Sequence, residues 1–259
     1  MSAAIVTLAA EALTLQLGTA RVLDGVSAGF LPGEVTAICG PNGAGKSSLL
    51  ACLAALHAPT QGRVTLDGAA LSALPAQARA RAIGYLPQAP EVAWSISVET
   101  LAGLGRLPWR TGAVEDAAAV AAALAALDLG GFARRSVATL SGGERARALL
   151  ARVLAGRPRW ILADEPLAAL DLAHQLALLG QLRVQALGGT GVVLVLHDLA
   201  LAMNHAARVV VLDAGRIVAD GPPEVALSES VIARVWGVTA RWLGEPGARA
   251  LSAGGGIDR

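Results

Sequence analysis

Up to Phe30 the chain alternates apolar and polar positions, with Leu13, Leu15 and Leu17 followed by Val22, Val26 and Phe30. A period of two places one apolar face on a sheet, so this stretch predicts two or three strands joined by Gly-containing turns, forming a small antiparallel sheet. Val35–Cys39 is a short β-branched run that ends in a Gly-rich loop, and Lys46–Leu56 has helical spacing. Further strands are expected at Arg63–Leu66, Ala82–Leu86, Trp160–Ala163, Val192–Leu196 and Val209–Leu212. Several of these are unbroken hydrophobic runs, as in parallel strands covered on both faces. From about Ala89 to Gly156 the sequence is rich in Ala and Leu, with helical periodicity and no strong strand.

The expected architecture is therefore an α/β core (1–88 and 157–243) with an N-terminal antiparallel β subdomain and an inserted helical subdomain (about 89–156). A tail from 244 to 259, rich in Gly, Ala and Pro and without an apolar pattern, is expected to be mobile. A chain of 259 residues with 54% hydrophobic residues can bury a full core, which excludes whole-chain disorder. Its longest apolar run free of charges and breakers, Ala117–Leu127, is too short to span a bilayer, and the N-terminus lacks a signal-peptide pattern. A soluble, cytoplasmic chain is expected. Cys39 and Cys52 lie in apolar surroundings and read as reduced, buried thiols. The net charge of +1, with no basic run longer than Arg134–Arg135, provides no footprint for nucleic acid.

One stretch carries explicit chemistry. Gly40-Pro41-Asn42-Gly43-Ala44-Gly45-Lys46-Ser47 fits G-x-x-x-x-G-K-[ST] between an expected strand and an expected helix, with Ser48 following. Glycines let backbone N–H groups approach phosphate oxygens, and the helix start directs its positive dipole end at the same anion. Lys46 would reach the β- and γ-phosphates, and the Ser47 hydroxyl is a hard oxygen ligand suited to Mg²⁺. Lys46 is also the single Lys among 21 basic residues. A compact ammonium on a flexible stem suits that position where a planar guanidinium would crowd the cradle. At the end of the Trp160 strand, Asp164 and Glu165 supply adjacent carboxylates where ligands sit in such sheets. Asp164 is expected to hold the metal and Glu165 to polarise an attacking water.

Leu140-Ser141-Gly142-Gly143-Glu144, opening a helix with Ser141 as its N-cap, resembles the signature motif of the ATP-binding-cassette (ABC) ATPases. The resemblance covers about residues 5–235. It implies that Ser141, Gly142, Gly143 and Glu144 contact the ATP held by the opposite subunit, so that two active sites form only in a head-to-tail homodimer. It further implies that Gln88 senses Mg²⁺ and the attacking water, that the switch residue His197 contacts the γ-phosphate, and that Asp171 lies at the dimer interface.

Finer similarity is carried by Ser97–Leu101 through Gly105–Pro108, by Leu170–Gln175, and by His197–Leu201 through Gly221–Val225. These stretches resemble the ATPase subunits of bacterial importers for iron-siderophore complexes, haem and cobalamin. That implies a peripheral position on the cytoplasmic face of the inner membrane, an integral membrane permease dimer, and a periplasmic or lipid-anchored substrate-binding protein. The alternatives are the ATPase subunit of an ABC exporter or of an importer for another cargo and, after these, a soluble non-transport ABC ATPase. Three departures from the family pattern stand out. The stretch Leu15–Arg21 has no aromatic residue to stack on adenine, Ala168 replaces a usual Ser, and Trp109 stands where such importers often have His. In the segment Gln88–Pro108, Trp94, Ile96, Val98 and Arg106 either contact a cytoplasmic helix of the permease or pack the helical subdomain.

Overall fold

The computed structural model describes residues 7–88, 96–168 and 170–256. Two long strands, β1 (Leu8–Leu17) and β2 (Ala20–Phe30), form the expected antiparallel pair. They are followed by β3 (Val35–Cys39) and α1 (Lys46–Leu53). Next come β4 (Gln61–Leu66), the short β5 (Ala69–Ala70), α2 (Ala76–Ala82) and β6 (Ile83–Leu86). The inserted region holds α3 (Val98–Gly103), α4 (Ala113–Ala126) and α5 (Gly142–Ala155), joined by short 3₁₀ turns. The core resumes with β7 (Trp160–Asp164), α6 (Leu172–Leu187), β8 (Gly191–Val195), α7 (Leu199–His205), β9 (Arg208–Asp213) and β10 (Arg216–Gly221). Last are α8 (Pro223–Ala226), α9 (Glu229–Trp236), β11 (Val238–Leu243) and β12 (Ala250–Gly256).

The central sheet has the order β10-β9-β3-β8-β7-β6, parallel except for the antiparallel edge strand β10. Its unbroken apolar runs are explained by two coverings. Ile161, Ala163, Val192 and Leu194 face a cluster that includes the inner faces of α3, α4 and α5. Trp160, Leu162, Val193 and Val195 face a second cluster shared with β1, β2 and α1. A strand buried on both sides has no polar position to alternate with, and this core is the rigid frame that carries the loops.

One expectation changes, and one open alternative is decided. Beyond residue 244 the chain is not structureless: β12 pairs antiparallel with β11, from Leu243 opposite Ala250 to Val238 opposite Gly256. The hairpin is tied down from outside, because the Asn204 amide donates to the Arg249 carbonyl (2.8 Å) and accepts from the Arg249 N–H (2.8 Å), while the Trp242 indole donates to the Leu227 carbonyl (2.7 Å). Its Ala- and Gly-rich composition hides the period of two that would have marked a strand.

The open alternative concerned the segment before Pro108, where packing is what Val98 and Arg106 do. Val98 is fully buried and Arg106 nearly so, with its guanidinium bonded to Asp116 (2.7 Å), Thr111 (2.9 Å) and the Ala155 carbonyl (3.2 Å). Both hold the helical region together and are not open to a partner. Ile96 packs against the same cluster, and Trp94 lies outside the described residues.

Candidate active site

Four parallel strands deliver chemistry to one edge. β3 ends into the Gly40–Ser48 loop, β6 leads to Gln88, β7 to Asp164 and Glu165, and β8 to His197. Because β3, β8, β7 and β6 are successive neighbours in the sheet, residues from four separate stretches of sequence converge at its carboxyl edge.

The loop closes over the start of α1, whose N-terminal turn carries no side-chain cap. Its first N–H groups are thus left for an anion. Gly45 adopts φ 97°, and a Cβ there would meet the Val22 carbonyl oxygen at 2.7 Å, so the close approach of β2 to the loop requires glycine. The turn between β9 and β10 braces the other side, with the Gly215 N–H donating to the Ala44 carbonyl (3.1 Å).

The Lys46 ammonium is folded into the loop, donating to the carbonyls of Gly40 (2.9 Å) and Pro41 (2.8 Å). Burial lowers its pKa, while the nearby Glu165, Cys39 and Asp164 pull the other way. The Ser47 hydroxyl donates to Asp164 Oδ1 (3.0 Å). Burial raises the pKa of Asp164, partly offset by that hydrogen bond. Cys39, on the strand beneath, is fully buried, and desolvation pushes its thiol up to about 12, which leaves it inert.

Glu165 is gripped on both oxygens: the Gln88 amide donates to Oε2 (2.6 Å), and His197 Nε2 contacts Oε1. Its backbone lies at φ 47°, left-handed for a residue with a side chain, and such strain concentrates at functional positions. A cleft of about 200 Å³ lies between this carboxylate, His197, the loop and Val22. Sequence reasoning found no aromatic for this end of the cleft and did not single out Val22, whose position follows only from the Gly45 contact.

The Ser141–Glu144 turn does not line that cleft. It begins α5 with a complete capping box: the Glu144 N–H donates to Ser141 Oγ (3.3 Å), and the Ser141 N–H donates to Glu144 Oε2 (2.8 Å). The Ser141 backbone bond holds the Glu144 carboxyl below its usual range. Asp171 caps α6 and is likewise held low, chiefly by the backbone N–H of His174. The predicted residues therefore fall into two groups. Gly40, Pro41, Asn42, Gly43, Ala44, Gly45, Lys46, Ser47, Ser48, Gln88, Asp164, Glu165 and His197 gather at the sheet edge, while Ser141, Gly142, Gly143, Glu144 and Asp171 form helix starts elsewhere.

Ser47 and Asp164 offer two hard oxygens in contact. No group of three or more His, Cys, Asp or Glu side chains able to hold a metal occurs among the described residues. That donor set suits Mg²⁺, which keeps water and substrate phosphates in its remaining positions.

Residues 23–168 match the family described as ABC transporter. Over 230 residues the chain is 47% identical to the hemin import ATP-binding protein HmuV of Streptomyces coelicolor, covering 88% of this chain and 82% of that protein. It is 43% identical over 235 residues to the HmuV protein of Pseudomonas entomophila, covering 88% and 91%. Among solved structures it resembles an ATP-binding cassette captured as a dimer in a post-hydrolysis state with ADP and phosphate. The TM-score is 0.75 and the identity 27%, covering 83% of this chain and 98% of that one.

Proposed function

The chain belongs to the ABC transporter family, and from that premise we propose that it is the ATP-hydrolysing subunit of a bacterial haem importer, working as a homodimer under a membrane permease. The observation that carries this reading is the pairing of a complete nucleotide edge with close likeness to proteins named for hemin import. The alternative of an exporter draws no support from those relatives.

In this reading the loop N–H groups and the N-terminus of α1 cradle the phosphates of ATP. Lys46 exchanges the Gly40 and Pro41 carbonyls for phosphate oxygens. Ser47 and Asp164 hold Mg²⁺, and the chemistry that ion supplies when bound is neutralisation of charge on the phosphates. Glu165 orients the attacking water and accepts its proton, while His197 and Gln88 leave Glu165 to face the γ-phosphate and the water. Ser141, Gly142, Gly143 and Glu144 of one copy cover the nucleotide of the other, and Asp171 lies at the contact between copies. The second copy is needed because these residues do not line the cleft of their own chain. The substrate-binding protein and the seat on the cytoplasmic face of the inner membrane complete the importer.

The test is co-purification with the neighbouring permease, followed by ATPase assays with a haem-loaded binding protein, ferric siderophores and cobalamin. Stimulation by haem is expected, and stimulation confined to cobalamin or a siderophore would overturn the cargo.

A further inference from the structure

The first turn of α6 carries two adjacent side chains that reach in different directions. The imidazole of His174 lies flat against Gly143, where a Cβ would sit only 2.2 Å from its Cδ2 and 2.6 Å from its Nε2. The ring is held there by Asp171, whose Oδ1 is 2.7 Å from Nδ1. The neighbouring Gln175 amide donates to two carbonyls of the turn that precedes α6, those of Leu167 (3.2 Å) and Leu170 (3.1 Å). One helix start thus touches both the turn that opens α5 and the turn that leads from Glu165 to Asp171.

We propose that His174 and Gln175 are positioning residues that join the Gly143 turn and the Leu167–Asp171 turn of one subunit into a single interface unit. This rests on the reading that Ser141–Glu144 and Asp171 face the partner copy. A residue on the partner's nucleotide must be placed to well under an ångström, and a 1 Å misplacement can cost on the order of a hundredfold in rate. His174 supplies bulk behind Gly143, and Gln175 donates to the Leu170 carbonyl and adds a second donor to the Leu167 carbonyl, which already accepts from the Leu170 N–H (3.1 Å), while neither side chain lines the nucleotide cleft of its own chain. Loss of either should therefore lower turnover without weakening nucleotide binding.

The experiment compares the full-length chain with H174A, H174F, Q175E and S141A, measuring kcat for Mg-ATP and the Kd of a fluorescent ATP analogue. H174A and Q175E are expected to lose at least about tenfold in kcat with Kd within about twofold. H174F, which keeps a flat ring over Gly143, should retain kcat within about threefold. The proposal is overturned by wild-type kcat in H174A and Q175E, by a loss of kcat matched by an equal loss of affinity, or by H174F as damaged as H174A. S141A separates the two levels: a dead S141A beside a normal H174A refutes the positioning role alone, and a fully active S141A refutes the shared-site reading along with it.

Discussion

Glu165 sits at the point where strain, hydrogen bonding and chemistry coincide. Both its oxygens are occupied, by Gln88 and His197, and its backbone is held left-handed at the end of a fully buried strand. Glu165 was legible in the sequence as one of two carboxylates at the end of an apolar strand, whereas Gln88 and His197 were reached only through the resemblance to the ABC family. Val22 was not legible, since its approach to Gly45 joins β2 to the loop across the fold. Val22 is half-buried and lines the cleft, and no Phe, Tyr or Trp is among the described residues that line it. With no aromatic ring to grip the base, the chain is expected to discriminate only weakly between ATP and GTP. Competition assays with the two nucleotides check this, and exclusive use of ATP would contradict it.

At the scale of elements, the central strands were readable from unbroken hydrophobic runs because burial on both faces leaves a simple signal. The α5 start was readable too, since a Ser and a Glu three apart write the capping box directly into the sequence. Two features escaped. Arg106 is left open in sequence between a permease contact and packing, and its partners, Asp116 on α4, Thr111 just before α4 and the Ala155 carbonyl at the end of α5, come from stretches that only the fold brings together. The β11–β12 hairpin escaped because Ala and Gly carry no periodic contrast, and its outside ties, Asn204 on α7 and the Leu227 carbonyl, are contacts that only the fold brings together. Replacing Asn204 with Ala removes both bonds to the Arg249 backbone. Backbone amides from 249 to 256 should then exchange hydrogen faster, while ATP hydrolysis stays unchanged because neither Asn204 nor the hairpin lines the nucleotide cleft. Unaltered exchange would mean that pairing with β11 alone suffices.

For the whole molecule, the two groups of functional residues explain each other only in pairs of chains. The nucleotide edge holds the loop, the two oxygens proposed for Mg²⁺ and the proposed base, while the Ser141–Glu144 turn and Asp171 stand at helix starts that do not line that cleft. In the proposed reading, hydrolysis by a homodimer joins them. The most direct test is sedimentation of the Glu165→Gln variant with Mg-ATP and without nucleotide. Glu165→Gln removes the proton acceptor but keeps the loop, so turnover should fall at least about a hundredfold and ATP should hold two copies together. A persistent dimer with Mg-ATP and a monomer without it is the predicted result. A chain that stays monomeric with ATP bound, or that consumes the ATP at the wild-type rate, would contradict the account.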